Sequence, residues 1–550
     1  MGNYLFMAWH RFRLTRFYKK LSSASTKNAW LAALWLAILA CTAYMSFGLF
    51  DTDVYYMLAT GRHILLHGIS HENPFILTPG QGIVVQNWLY CAVLAFVYSY
   101  LHSFGLWLFL LLSISAMAAV IFEFFDFRHS DNRAMIGIFA VIVIMFFGYV
   151  NLRPEIFTFV LIMLEIIGTE KYRDTGKVRY LWLLPLSTWL EINGHASYWI
   201  LHYVVMLPYI VPVVFKKISR VTDSHIPNKM TGKMVPFLLL MTGVLFINPY
   251  GFDAVAYIFH SLGSGILKLV GISEQQPYSL MDVHAFWYIT MLFIFFCMWW
   301  HKKLASTDFY MFAGFAALFM TAAKWQPFFA VSSVFLFRAM YNYTKGHDGY
   351  RIANLKVPAV CSGLIIAMVC SVFIMLARRN DIMACFDIKT DDYMTYDAVK
   401  GTSFENFAPM ADYLDENDPD AAVFALFEQS NYFEYRGYKV FSDARPELYV
   451  REIAGSDDIS KIFLEITSGT DQLGYFQASC NAAADNSVKP AMSDYVLSAS
   501  EYGSMIDGIN CDYFVVNMTS AVMYYYFDTS PDKYECVVTD GVYKLYKRLF

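Results

Sequence analysis

The sequence predicts an α-helical polytopic membrane protein that carries a mixed α/β domain at its C-terminal end. Three observations predict it. Hydrophobic residues make up 57% of the 550 and charged residues only 16%, with a mean hydropathy of +0.40, whereas about a quarter of a soluble domain is charged. Apolar runs recur from residue 28 to residue 377. After Arg378-Arg379 the composition changes to that of a globular domain. The 48 Phe, 39 Tyr and 12 Trp fit the aromatic enrichment found where helices cross the headgroup region. The formal charge of −5 is small and the basic residues are scattered, which sets nucleic-acid binding aside.

Residues 1–27 form a basic segment with Arg11, Arg13, Arg16, Lys19, Lys20 and Lys27. The apolar stretch behind it is too long for a signal-peptide core, so the segment reads as cytoplasmic, ahead of a retained anchor. Twelve apolar runs follow, at 28–49, 86–102, 104–123, 134–150, 155–170, 180–194, 196–215, 234–248, 285–300, 309–323, 327–342 and 357–377. Several fall short of the roughly 20 residues of a full span. Basic loops at 171–179, 216–233, 302–303 and 345–356 belong on the cytoplasmic side. That places the first external loop, 50–86, outside, together with 194–195, 249–283, 324–326 and everything after Arg379. One run within 86–150 must then be re-entrant, broken or fused with its neighbour, and about eleven crossings result.

Residues 378–550 are long enough for a core of their own. Ala411–Asn417 closes a helix, and 421–427, 438–441 and 513–516 read as strands. Thr539-Asp540-Gly541 marks the turn of a hairpin between 536–538 and 542–546. Cys41, Cys91, Cys297, Cys361 and Cys370 lie in apolar runs as packing residues. The other four, Cys385, Cys480, Cys511 and Cys536, allow three disulfide pairings if the domain is extracytoplasmic.

Asp51 and Asp53 stand out because two carboxylates at the outer end of an apolar span are costly to place there without a use. A carboxylate held at the interface can take the proton of an acceptor hydroxyl when a sugar leaves a lipid phosphate. Its neighbour could hydrogen-bond the acceptor or bind a divalent metal ion, and either aspartate could instead only cap the helix 54–66. A departing lipid phosphate needs fixed positive charge, for which Arg62, Arg153 and Lys324 are the candidates; the competing reading of each is a side chain reaching to the interface. Glu155 could neutralise Arg153. Glu191, Asn193 and His195 interrupt two apolar runs, where polar groups face a cavity or a partner helix. His63, His67 and His71 recur every four residues and could share a helical face around a metal, although Gly68 and Pro74 argue against a continuous helix. Glu274 could line the same pocket or be a solvated loop residue. Asp443, Arg445 and Glu447 beside the strand at 438–441 could meet an acceptor glycan, but a structural ion-pair network is the favoured reading.

Taken in order, Asp51-Thr52-Asp53, Leu58-Ala59-Thr60-Gly61-Arg62, Asn73-Pro74-Phe75, Asn87-Trp88-Leu89, Arg153-Pro154-Glu155, Trp189 with Asn193 and His195, Asn248-Pro249-Tyr250-Gly251, Lys439 to Arg445 and Glu447-Leu448-Tyr449 make the chain resemble the bacterial members of the C-type (GT-C) membrane glycosyltransferase superfamily, in the branch with a C-terminal soluble domain. The resemblance implies a catalytic module in the first seven or so helices, a polyprenyl-phosphate-linked sugar as donor, a glycan, lipid or protein as acceptor, and a base in the first external loop, where Asp51 or Asp53 stands. Ala196-Ser197 and Lys324-Trp325-Gln326 depart from the family pattern, in which glycines and arginines are more usual.

Two other classes compete. A non-catalytic scaffold or glycan-binding protein of cell-envelope polysaccharide assembly would bind lipid or glycan without turnover. A transporter would suit Glu191 and His195, but the runs do not fall into paired halves.

Overall fold

The computed structural model describes residues 52–125, 151–211, 220–266, 285–345 and 407–550. Asp51, Glu274, Cys385 and the apolar runs 28–49, 134–150 and 357–377 lie outside them.

Among the described residues the first helices are α1 (Asp53–His67) and α2 (Trp88–Phe124). α2 joins two of the apolar runs and kinks between them at His102, whose φ of 49° is left-handed. Then follow α3 (Glu155–Thr175), α4 (Leu183–Gly194), α5 (Trp199–Val204), α6 (Asn228–Val244), α7 (Phe252–Gly263), α8 (Ala285–Trp300), α9 (Ser306–Thr321) and α10 (Gln326–Lys345). Their shared core is rich in phenylalanine, with Phe319 stacked on Phe329 at 5.3 Å. One buried cluster crosses it: Arg338 of α10 donates from Nε to Asp308 of α9 at 3.0 Å, pairs with Glu170 of α3 and lies 4.4 Å from the ring of Phe124.

The eleven expected crossings are not found among the described residues. There, Phe104–Phe124 is the one helix long and apolar enough to cross a membrane, and Trp88–His102, Ala196–Ile210 and Tyr288–Trp300 are shorter apolar helices. The physical reason is length and interruption. The 16 residues of α9 reach about 24 Å against a hydrocarbon core of about 30 Å. The described residues 196–210 of the run that starts at 196 break into a 3₁₀ turn and two short helices, and α3 carries Glu165 and Glu170 within its length.

In the C-terminal part, α11 (Ala408–Asn417) precedes β1 (Ala422–Phe424), α12 (Glu428–Arg436), β2 (Lys439–Val440), a 3₁₀ turn at Pro446–Tyr449, and α13 (Asp458–Ser468). α14 (Gln472–Ala484), α15 (Ala499–Gly508), β3 (Tyr513–Asn517), α16 (Ala521–Asp528), β4 (Tyr534–Asp540) and β5 (Tyr543–Arg548) complete it. The sheet order is β2-β1-β3-β5-β4, parallel from β2 to β3 and antiparallel beyond. β3 sits in the middle and is fully buried from Tyr513 to Val516, as a strand covered on both faces must be. The hairpin β4–β5 turns where Asp-Gly predicts it, with Gly541 at φ 54°. Each of the three disulfide pairings requires one bond among Cys480, Cys511 and Cys536, and all three of these thiols are free.

The loop between α1 and α2 fastens the two parts together. Its residue Ile76 bridges Val440 in parallel, Leu77 N–H donates to the Val440 carbonyl at 2.8 Å, and Val440 N–H donates to the Phe75 carbonyl at 3.0 Å. The loop therefore covers the open edge of β2, which would otherwise present unpaired backbone groups. Gly82 lies so close to the second part that an added Cβ would stand 2.1 Å from the Ile453 carbonyl oxygen.

Candidate functional site

α1 distributes its side chains over three faces, as helical spacing requires. Met57, Leu58 and Gly61 pack on α2, where the Gly61 Cα lies so near that an added Cβ would meet the Cys91 carbonyl oxygen at 2.0 Å. Tyr55 and Arg62 face α12: Tyr55 meets the Tyr432 ring at 5.4 Å, and Arg62 donates to the Tyr435 carbonyl at 2.7 Å. The third face carries Asp53, Tyr56, Thr60 and His63.

Asp53 stands in the first turn of α1, where the helix dipole favours its charge. It is not the cap: that position is Thr52. Its carboxylate lies 3.1 Å from Arg153, which the turn before α3 presents, and both side chains are about a quarter exposed (23% and 24%). Glu155 begins α3. A carboxylate and a guanidinium from two distant segments thus meet at a half-open position. Arg62 is bound to the C-terminal part, nine positions along α1 and about 13 Å from Asp53 by helical rise.

Glu191 and His195 lie four residues apart at the end of α4. Glu191 accepts from the Thr158 hydroxyl at 2.6 Å, and the same hydroxyl is 2.9 Å from His195 Nδ1. Glu165 and His202 extend this buried set. Thr158, Glu165 and His202 are not among the candidates named from the sequence, although an acid and a histidine inside apolar runs are signals in themselves. Asn193 ties elements together: it accepts from Trp88 Nε1 at 3.1 Å and donates to the Trp189 and Ile247 carbonyls. Lys324 lies 5.5 Å from the Trp325 ring; Trp325 meets Tyr198 at 5.6 Å, and Tyr198 meets His195 at 4.4 Å. The 323–325 turn and the 195–198 turn are therefore neighbours.

Of the histidines proposed to share a face, His63 and His67 are 5.0 Å apart. His71 is turned away by the helix end at Gly68 and packs on Tyr250 at 5.3 Å. Among the described residues no group of three or more His, Cys, Asp or Glu is placed to hold a metal ion.

Arg445 reaches α1 from the C-terminal part. It is buried, pairs with Asp443 and with Glu434 at 2.9 Å, donates to Thr60 Oγ at 2.9 Å, and stacks over Phe75 at 4.3 Å. This arrangement is an ion-pair network that positions the helix bearing Asp53. Glu447 is 3% exposed and one of its oxygens, Oε2, has no hydrogen-bond partner. Burial pushes its carboxyl up to about 7, while its own and the Gln86 backbone amides and Arg445 favour the charged form and Asp443 opposes it.

No family model and no curated protein matches the chain. Among solved structures it is similar to the oligosaccharyltransferase of Archaeoglobus fulgidus tethered to an acceptor peptide with an NVT sequon, at 11% identity over 91% of this chain and 72% of that one, with a TM-score of 0.49. The apo form of the same enzyme gives 10% identity over 90% and 70%, also at 0.49. At that level of similarity neither fold nor activity transfers.

Proposed function

We propose that this chain is a membrane glycosyltransferase of the C type, moving a sugar from a polyprenyl-phosphate donor to an acceptor on the extracytoplasmic side by a single inverting displacement. The observation that carries the reading is the ion pair between Asp53 and Arg153 at 3.1 Å, half-open to the surroundings. Paired with the guanidinium of Arg153, the carboxylate is held in one orientation. An arriving donor phosphate competes for Arg153 through the bidentate contacts that guanidinium favours, and so frees Asp53 to accept the proton of the acceptor hydroxyl. Developing charge on the leaving phosphate is then opposed by Arg153, with Lys324 the further candidate. Asp51 is the alternative base.

The test measures transfer from short-chain polyprenyl-phosphate monosaccharides by the purified full chain. Asp53→Asn or Asp51→Asn should lower kcat by at least a hundredfold without loss of expression, and Arg153→Gln should raise the donor KM. Full activity in both single variants and in the double variant would overturn the reading. Donor binding without turnover in the unaltered chain would favour the scaffold reading.

A further inference from the structure

A buried polar chain runs inward from the candidate site and has no role in the sugar-transfer reading so far. Glu165 Oε2 is hydrogen-bonded to His202 Nδ1; His202 Nε2 stands 3.5 Å from Glu191 Oε2, an ion-pair distance without a made hydrogen bond. Glu191 Oε1 then takes the Thr158 hydroxyl at 2.6 Å, and Thr158 Oγ lies 2.9 Å from His195 Nδ1. Four of the five side chains are fully buried and His195 is 5% exposed.

Donor arithmetic defines two states of this chain. Thr158 has a single hydroxyl proton, and the Pro154 carbonyl at 3.5 Å competes weakly with a carboxylate at 2.6 Å. With that proton given to an ionised Glu191, Thr158 can only accept from His195, so Nδ1 carries the hydrogen and Nε2 the lone pair. When Glu191 is protonated on Oε1 every bond reverses, and the imidazole hydrogen moves to Nε2. The states differ by one proton.

We propose that His195, Thr158 and Glu191 form a proton relay, in which His195 Nε2 takes a proton at the edge of the candidate site and Glu191 stores it. An N–H bond forms at Nε2 as the one at Nδ1 breaks. That proton passes to Thr158 Oγ, and the original hydroxyl proton passes to Glu191 Oε1. Histidine is neutral before and after, and Glu191 becomes a carboxylic acid. His202, held by Glu165, anchors the Glu191 carboxyl. The site lies at the outer end: Arg153 acts electrostatically on His195, and the Ala196 N–H donates to the Gln86 carbonyl at 2.7 Å. Besides the members of the chain, Arg153 faces His195, and Tyr203 lies within the field of Glu165. The use of the relay rests on the transferase reading, since the proton it receives is the one Asp53 has taken from the acceptor hydroxyl; its existence does not.

Infrared difference spectroscopy of the full chain in lipid nanodiscs, titrated in pH, tests it. A buried carboxylic-acid carbonyl band should grow as pH falls and be absent in Glu191→Gln. In Thr158→Val, a nearly isosteric change, the band should shift because the acid loses its hydrogen-bond partner, and Thr158→Ser should restore it. In the transfer assay Thr158→Val should lower kcat on the order of a hundredfold and move its pH profile, with donor KM unchanged. A wild-type chain without a titrating band, or a band unmoved in both Glu191→Gln and Thr158→Val, overturns the relay. A band that behaves as expected in a chain that transfers no sugar overturns the transferase reading and leaves the relay standing.

Discussion

Glu447 sits where its own charge is costly, and this makes it a source of pH dependence. Its carboxyl is raised from 4.5 to about 7, first by burial. Because the folded value lies above the unfolded one, the protonated side chain's stabilising contribution is complete below pH 4.5 and is lost as pH rises through 7. The span corresponds to roughly 3 kcal/mol. Glu447→Gln should therefore match the unaltered chain in thermal unfolding at pH 4.5 and become the more stable of the two by pH 8; parallel melting temperatures across that range would refute it. Arg445 presents the converse. Arg445→Met leaves Glu434 and Asp443 buried without their cation, so a loss of about 3–5 kcal/mol is expected, read as a lowered unfolding temperature. The triplet Asp443, Arg445 and Glu447 was visible as a charged cluster beside a strand. That Arg445 would reach α1 was not, because Thr60 is 385 positions away in sequence.

α1 is the element on which the candidate site depends, since it carries Asp53 while one face packs on α2 and another on α12. Gly61 permits the close approach to α2. Gly61→Ala should lower stability by about 1–3 kcal/mol through overpacking and reduce the yield of folded protein. Gly314→Ala, inside α9 with open space around the added Cβ, should be neutral or stabilising by up to about 1 kcal/mol. Comparison of unfolding temperatures checks both, and equal effects of the two changes would contradict the packing argument. The helix at 54–66 was legible behind the aspartate pair. Its use as a wedge between two parts of the molecule was not, because Arg62 reads locally as a basic side chain reaching to the interface.

At the scale of the whole molecule, the loop between α1 and α2 completes the sheet of the C-terminal part. Leu77→Pro removes the N–H that donates to Val440. Amide hydrogen exchange of β2 and of the 451–456 segment should accelerate in this variant, with that of β3 unchanged. Unaltered protection of Val440 would show that the loop contributes nothing to holding the sheet edge. Such docking depends on which strand is left at an edge, and that follows from the order β2-β1-β3-β5-β4, a property no local stretch encodes.

Sequence by itself determined the elements whose signals are local: the strands read at 421–427 and 513–516, which form at 422–424 and 513–517, the Asp-Gly hairpin turn, and the residue types suited to acid–base and phosphate chemistry. Periodicity, turn chemistry and charge placement act over a few residues, so they can be read directly. Only the tertiary structure decided which of the candidates meet. It joined Asp53 to Arg153, sent Arg62 to the C-terminal part, turned His71 away from His63 and His67, and linked His195 through Thr158 to a buried acid. Those pairings depend on how helices far apart in the chain pack, and burial then fixes which of their charges must share a proton or a partner.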